Sequence, residues 1–242
     1  MAQNTPGSVV ERVAFFGGSF DPPHLGHLAV ARAAKAALGL DRVLFAPVGA
    51  QPLKPGGSSA GFEDRAAMTR LAIAAEPGFE LSLADAPQPD GTPNYTWKTL
   101  QRMRGELHAG SRLYCLMGAD SLAGLRYWYR SAELPFLAPL IVASRPGELL
   151  EDLRALLPEG LSLAPAQADI EDLPPCAELC EVQPYLLRNS SGQEAPFWLL
   201  PHLAVEISAT QIRESLHNNP AQAARLLPSP VIDWIRSQRL YR

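Results

Sequence analysis

Residues 13–27 read VAFFGGSFDPPHLGH, and this stretch decides the fold of the chain. The apolar run before the glycine pair predicts a buried strand, and the Ala-rich pattern Leu25–Leu38 predicts a helix. The adjacent Gly17 and Gly18 let the backbone approach a phosphate closely, and the helix points its free N–H groups and positive dipole end into the same space. The stretch therefore predicts a strand–turn–helix unit that binds an anion.

Two histidines stand at the predicted start of this helix. His24 and His27 are three positions apart, so their side chains emerge on one helix face. Together they can donate hydrogen bonds to phosphate oxygens and stabilise charge that develops during transfer. Two alternatives are a surface helix cap and half of a metal site. The uninterrupted order of strand, glycines, prolines and histidines favours phosphate binding.

A second candidate anion site lies at residues 207–213, which read ISATQIR. Ser208 occupies a predicted N-cap position, and Arg213 follows within the first turns of the helix. A guanidinium binds phosphate through two parallel hydrogen bonds and keeps its charge at every relevant pH. The alternative is an ordinary capped helix with one solvated arginine.

The rest of the chain alternates strand and helix patterns. This alternation predicts an α/β fold, a Rossmann-like parallel sheet with helices on both faces, in a single domain over 1–242. The core is expected at about 13–206 and a small helical part at about 207–242. We expect an exposed, mobile loop at 49–61 and an irregular segment at 158–193. Predicted strands are 13–16, 43–48, 79–84, 113–117, 140–143 and 197–200, and further helices are 63–76, 95–108, 120–129, 149–157, 208–217 and 230–240.

Composition narrows the function classes. A hydrophobic fraction of 47% with 19% charged residues is ordinary for a globular protein, and the net charge of −4 argues against a broad nucleic-acid-binding surface. No apolar run is long enough to span a bilayer, and the polar N-terminus lacks a secretion signal. We therefore expect a cytoplasmic protein without nucleic-acid or membrane partners.

Three cysteines suggest no disulfide framework or zinc site. Cys115 lies in an apolar run, where a buried reduced thiol is expected. Cys176 and Cys180 have C-x-x-x-C spacing, but no second Cys or His pair follows at zinc-site spacing. We expect loop thiols and no protein-bound metal.

The motifs GGSFDPPHLGH and ISATQIR resemble the two signatures of the nucleotidyltransferase superfamily, GGxFxPxHxGH and ISxTxxR, at every fixed position. Within it, the chain from about residue 13 onward resembles the bacterial nicotinate-nucleotide adenylyltransferases. The supporting segments are PNYT at 93–96, GADS at 118–121, WY at 128–129, RPG at 145–147 and LYR at 240–242.

This resemblance implies ATP and nicotinate mononucleotide as substrates, with Mg²⁺ carried mainly by the ATP phosphates. His24, His27 and Arg213 would be catalytic, and Asp120 would lie beside the adenosine ribose. The ring pocket would offer hydrogen-bond donors and no evident buried acid, which favours the nicotinate carboxylate over an amide. The implied ATP-binding residues are Gly17, Gly18, Ser19, Phe20, His24, His27, Gly118, Asp120, Ser208, Thr210 and Arg213, and the implied acceptor-binding residues are Lys54, Tyr95, Thr96, Trp128 and Tyr129.

Two departures from the family pattern stand out. Gln51-Pro52-Leu53-Lys54 replaces a Pro-Pro-His-Lys or Pro-Pro-His-Arg segment, so one phosphate-facing histidine is missing and Lys54 is expected to carry more of its role. The stretch 168–194 is longer or more divergent than usual and has no assigned function. Alternatives left open are another acceptor, CTP as the donor, a nucleotide sensor without turnover and a metal hydrolase. The chain is also expected to be able to form a homodimer.

Overall fold

The computed structural model describes residues 10–54, 56–144, 150–166, 182–201, 203 and 207–242. Cys176, Cys180, the segment 145–147 and most of the divergent stretch 168–194 lie outside this part of the chain. Within it, no helix is long and apolar enough to cross a membrane.

The described residues form one sheet whose strand order is β3-β2-β1-β4-β5-β8-β7-β6. From β3 to β8 every neighbouring pair is parallel, which confirms the predicted Rossmann-like sheet. The strands are β1 (Arg12–Gly18), β2 (Arg42–Pro47), β3 (Phe79–Leu81), β4 (Arg112–Gly118), β5 (Leu140–Ala143), β6 (Leu161–Pro165), β7 (Gln183–Asn189) and β8 (Glu194–Leu200).

The sheet continues into an antiparallel extension that the sequence analysis did not predict. β6 and β7 lie in the segment expected to be irregular, and they pair antiparallel with each other and with β8. In β7 only Tyr185 and Leu187 are buried in the core, and in β6 only Leu163 is buried. This pattern of burial is too short, and too interrupted by Pro184, to stand out in the sequence, so the prediction was wrong for these strands.

Helices cover both faces of the sheet, as predicted. The expected helix at 120–129 is shorter, because it ends at Gly124 and continues as a 3-10 turn over Leu125–Tyr127. The helix over Pro220–Leu226 was not predicted. The helices are α1 (Leu25–Leu38), α2 (Phe62–Ile73), α3 (Thr96–Glu106), α4 (Ala119–Gly124), α5 (Leu134–Leu137), α6 (Leu150–Leu156), α7 (Ala209–Asn218), α8 (Pro220–Leu226) and α9 (Ser229–Ser237).

Alternate residues of β1 belong to two separate hydrophobic clusters. Ala14 and Phe16 pack with α1, α2, α7 and α9 on one face, while Val13 and Phe15 pack with α3, α4 and α5 on the other. A strand buried on both faces reads as a continuous apolar run, which is what residues 13–16 show. The small C-terminal helices thus contribute to the core on the α1 side of the sheet.

The described residues of the loop at 49–61 are mostly exposed, as expected, but the loop is tied down at its end. Ala60 is buried, and the backbone N–H groups of Ser59 and Ala60 donate hydrogen bonds to the Asp21 carboxylate. Near the start of the loop, Gln51 Nε2 donates to Ser19 Oγ over 2.8 Å. The loop therefore packs beside the turn that follows β1.

Candidate active site

The last two residues of β1, Gly17 and Gly18, have little room for a side chain. A Cβ on Gly17 would lie 2.7 Å from the Phe15 ring, and one on Gly18 would lie 3.2 Å from the Phe20 ring. Phe20 itself has a φ of 47°, in the left-handed region that favours glycine. The glycine pair therefore lets the end of β1 pack against two buried aromatic rings and leaves its backbone open to a ligand.

His24 and His27 form a stacked pair at the start of α1. His24 is the N-cap residue and is buried, and the two ring centroids are 3.6 Å apart. The His24 backbone N–H donates to His27 Nδ1 over 3.1 Å. Because Nδ1 accepts this hydrogen bond, a neutral His27 carries its proton on Nε2 and can donate it to a ligand.

Both imidazoles are held in the neutral form. Burial lowers the pKa of His24 to about 4. Burial and then the nearby His24 lower the pKa of His27 well below its ordinary value. At neutral pH the pair therefore offers N–H donors without a fixed positive charge.

Arg213 of α7 reaches the same place from the other end of the chain. Its Nη1 donates to the Asp21 carbonyl oxygen over 2.7 Å, and its Nη2 donates to Thr210 Oγ1 over 3.2 Å. The two predicted anion sites are thus one site. Ser208 is the N-cap residue of α7, as predicted, although its side chain makes no capping hydrogen bond.

A cavity of about 340 Å³ collects the residues expected to bind ATP. It lies at the carboxyl ends of β1, β4 and β5, where open α/β sheets bind ligands. Its lining includes Gly17, Gly18, Ser19, Phe20, His24, His27, Gly118, Asp120, Ser208, Thr210 and Arg213. We call it the phosphate cavity.

A second cavity of about 340 Å³ collects four of the five residues expected to bind the acceptor. They are Tyr95, Thr96, Trp128 and Tyr129. The two cavities share Asp120, Ser121 and the turn from Gly17 to Ser19. Two ligands that fill them would therefore meet at the glycine turn. We call the second one the ring cavity.

Aromatic side chains form the outer wall of the ring cavity. The ring centroids of Tyr95 and Tyr129 are 5.0 Å apart, and Tyr129 meets Trp97 edge-on. The Arg130 guanidinium lies 3.8 Å from the centre of the Trp97 ring, a cation–π contact. Thr96 begins α3, whose first-turn N–H groups have no acceptor within the helix and can donate to an anion.

Comparison with known proteins places this site in a family. The cytidylyltransferase-like family model matches residues 15–215. A protein of Gloeobacter violaceus named probable nicotinate-nucleotide adenylyltransferase is 38% identical over 231 residues, which are 96% of each chain. A protein of a Roseiflexus species with the same name is 36% identical over 95% of this chain and 98% of its own. The chain belongs to the nicotinate-nucleotide adenylyltransferase family.

The fold agrees with this family. The structure of the Plasmodium falciparum nicotinic acid mononucleotide adenylyltransferase complexed with NaAD superposes with a TM-score of 0.67 over 96% of this chain and 97% of that one. The two sequences are only 16% identical, so this likeness concerns the fold alone.

The family motif with its usual histidine is altered here at Leu53. This side chain is 57% exposed and lines the ring cavity. Lys54, expected to bind the acceptor, instead lines the phosphate cavity. The altered segment thus places Lys54 at the phosphate cavity, which Arg213 also lines, and an apolar side chain at the ring cavity.

Asp85 is among the residues of the ring cavity that sequence reasoning missed, and the expectation of no evident buried acid there was wrong. Asp85 is 3% exposed and lines the cavity together with Trp128. Its Oδ1 accepts a hydrogen bond from Thr99 Oγ1 over 2.5 Å, and burial raises its pKa. Asp85 follows β3 at the carboxyl edge of the sheet, and that position was the available signal.

Proposed function

We propose that the chain transfers the adenylyl group of ATP to nicotinate mononucleotide in NAD biosynthesis. The products are nicotinate adenine dinucleotide and pyrophosphate. The observation that carries this proposal is the meeting of the phosphate cavity and the ring cavity at the turn from Gly17 to Ser19. Such an arrangement suits a reaction that joins two phosphate-bearing substrates.

The reaction needs positioning more than proton transfer. An oxygen of the acceptor 5′-phosphate forms a bond to the α-phosphorus of ATP, and the bond from that phosphorus to the bridging oxygen breaks. Pyrophosphate leaves with the electron pair. Because the nucleophile is already an anion, no general base is required, and catalysis comes from alignment and charge stabilisation.

His24, His27 and Arg213 carry the charge stabilisation in this proposal. The neutral histidines donate hydrogen bonds to phosphate oxygens, and Arg213 holds the departing phosphates with its permanent charge. Lys54 adds a second cation on the same side. Asp120 lies where it can contact the ribose of ATP.

Mg²⁺ fits this proposal as a companion of ATP. Among the described residues, no group of three or more His, Cys, Asp or Glu side chains could hold a metal ion. Mg²⁺ commonly keeps several waters and binds through substrate phosphates, so the ATP phosphates would hold it. When bound, it would neutralise part of the triphosphate charge.

A second candidate acceptor is nicotinamide mononucleotide. The buried Asp85 favours it, since a carboxylate can accept a hydrogen bond from an amide but repels the nicotinate carboxylate when it is ionised. The donors at the start of α3 favour nicotinate. We propose that nicotinate is preferred, by about tenfold to a hundredfold if the wrong acceptor leaves one buried polar group unsatisfied.

Product identification tests the proposal. The protein is incubated with Mg²⁺, either ATP or CTP, and either pyridine mononucleotide, and the products are identified by mass spectrometry. We expect nicotinate adenine dinucleotide to form fastest, and His27→Ala is the control for a contaminating activity. Nucleotide binding without product in any combination would indicate a sensor instead of an enzyme.

Two further properties belong to the proposal. We place the chain in the cytoplasm, because Cys115 is a free buried thiol and reduced thiols are the rule there. A homodimer stays a prediction, which sedimentation equilibrium can check.

A further inference from the structure

The buried carboxylate of Asp21 lies directly beneath the phosphate cavity. Asp21 is 1% exposed, and its side chain accepts three hydrogen bonds. Ser59 N–H donates over 2.6 Å, Ala60 N–H over 3.1 Å, and the Tyr241 hydroxyl over 2.7 Å. The mechanism proposed above does not use this side chain.

The backbone of the same residue holds Arg213. Arg213 Nη1 donates to the Asp21 carbonyl oxygen over 2.7 Å and lies 3.9 Å from its carboxylate. Because Arg213 contacts the backbone of Asp21 and approaches its carboxylate, a shift of this residue would change the position of the guanidinium. Asp21 thus joins α7 to the turn after β1.

Arg65 of α2 also holds the glycine turn in place through hydrogen bonds to backbone carbonyl groups. Its guanidinium is buried and donates to the carbonyl oxygens of Ser19, Val48 and Ala60 over 2.6, 2.8 and 3.2 Å. All of these contacts come from the body of the α/β fold. The Tyr241 hydroxyl is the contact that comes from the chain beyond α9.

Left-handed backbone occurs at Tyr241 and next to Asp21. Phe20, just before Asp21, has a φ of 47°, while Arg239 and Tyr241 have φ values of 56° and 57°. Non-glycine residues in this region cost energy and persist where surrounding contacts hold them, often at functional sites. The chain after α9 therefore adopts an unfavourable conformation that brings the Tyr241 hydroxyl to Asp21.

We propose that Tyr241 is a positioning residue for nucleotide binding, acting through Asp21 on Arg213 and on the glycine turn. This inference rests on the proposed function only in taking the phosphate cavity as the ATP site. Burial and then the hydrogen bond to Asp21 raise the pKa of Tyr241, so the phenol stays protonated and remains a donor.

The competing explanation is that Tyr241 only anchors the end of the chain. A matched contact separates the two explanations, because Trp234 of α9 donates from Nε1 to Asp64 Oδ1 over 3.2 Å. It joins the same C-terminal region to α2 but touches neither the glycine turn nor Arg213. Trp234→Phe removes an anchor without touching the phosphate cavity.

The experiment compares wild type, Tyr241→Phe and Trp234→Phe at a temperature well below unfolding. Calorimetry measures the affinity of the free protein for ATP, and kinetics measure the KM for ATP, for the acceptor and for pyrophosphate in the reverse direction. For Tyr241→Phe we expect ATP affinity and pyrophosphate KM to worsen roughly tenfold, with the acceptor KM unchanged. For Trp234→Phe we expect a lower Tm and unchanged constants.

Unchanged ATP affinity in Tyr241→Phe, or equal weakening of ATP and acceptor, overturns the proposal. If this variant unfolds at the assay temperature, Asp21→Asn provides the second route, and it must show the same weakening for ATP with an unchanged acceptor KM. ATP affinity needs no acceptor. If the proposed acceptor is incorrect, the wild-type protein would still bind ATP but would form no product with that acceptor. If the proposed role of Tyr241 is incorrect, the wild-type protein would still form the product, and Tyr241→Phe would bind ATP as the wild type does.

Discussion

The two cavities that meet at the glycine turn are built in different ways. The phosphate cavity is lined by groups already held in place: His24 is buried, and Arg213 and Asp21 make several short hydrogen bonds. The outer wall of the ring cavity is aromatic and exposed, with Tyr127 69% and Tyr129 45% accessible. If the two cavities bind as we propose, phosphates would meet a preorganised polar frame, whereas the acceptor ring would bury surfaces that are exposed without it.

The largest expected effect comes from removing a hydrogen-bond donor, His27, from the phosphate cavity. His27→Ala should lower kcat roughly 10²- to 10³-fold with a nearly unchanged acceptor KM, because its hydrogen bond strengthens as charge develops in the transition state. Steady-state kinetics with circular dichroism check the change. His217→Ala, at an exposed histidine of α7, is the control and should behave like wild type. A folded His27→Ala protein with near-normal kcat would remove His27 from the mechanism.

The next prediction tests whether the positive charge of Arg213 is sufficient for ATP use in the phosphate cavity. Arg213→Lys should weaken kcat/KM for ATP about tenfold or more, since an ammonium cannot reproduce the planar contacts to Asp21 and a phosphate together. The acceptor KM should stay within twofold or so. Arg236→Lys, at an exposed position of α9, serves as the matched control. Equal kinetics for Arg213→Lys and wild type would show that Arg213 links α7 to Asp21 without binding phosphate.

The aromatic half is tested by removing a stacking face. Trp128→Ala should raise the KM of either pyridine mononucleotide about tenfold, because both rings lose the same surface. The KM for ATP is the internal control and should not change. If Trp128→Ala discriminated between nicotinate and nicotinamide mononucleotide more strongly than wild type, Trp128 would contact the carboxylate or amide group instead of the pyridine ring.

The smallest effect concerns acceptor choice and its pH dependence. Burial raises the pKa of Asp85, so this side chain is neutral at lower pH and ionises as pH rises through that value. The ratio of kcat/KM for nicotinate over nicotinamide mononucleotide should therefore fall roughly threefold to tenfold with rising pH, through repulsion of the nicotinate carboxylate. Asp85→Asn should give a flat ratio, and a ratio that falls equally in both proteins would exclude Asp85 as its source.

The same contrast explains what the sequence could predict. His24, His27 and the glycine pair belong to one contiguous motif, so the order of residues was enough to place them. The hydrogen bond of Arg213 to Asp21 joins positions 192 apart, and no local pattern reveals such a distance. Asp85 was missed because a lone acid after a short strand looks like any loop residue.

The fold was predictable for a similar reason. The parallel strands of the core are buried on both faces and read as apolar runs, whereas β6 and β7 are half-exposed and bury few side chains. Antiparallel pairing of β7 with β8 follows a tight turn at residues 190–193, which resembles an ordinary polar loop in the sequence. The strand structure of β6 and β7 therefore depends on pairing with neighbouring strands more than on the local strand preference of their residues.

The hydrogen bond between Asp21 and Tyr241 also sets an order of events during synthesis. It joins residues 220 positions apart, so it cannot form until residue 241 has left the ribosome. Domains generally fold as units, and the core on the α1 side of the sheet includes residues of α7 and α9. In our proposal the nucleotide site is therefore completed only when Arg213 and Tyr241 reach Asp21, at the stage at which α7 and α9 also close the core on the α1 side of the sheet.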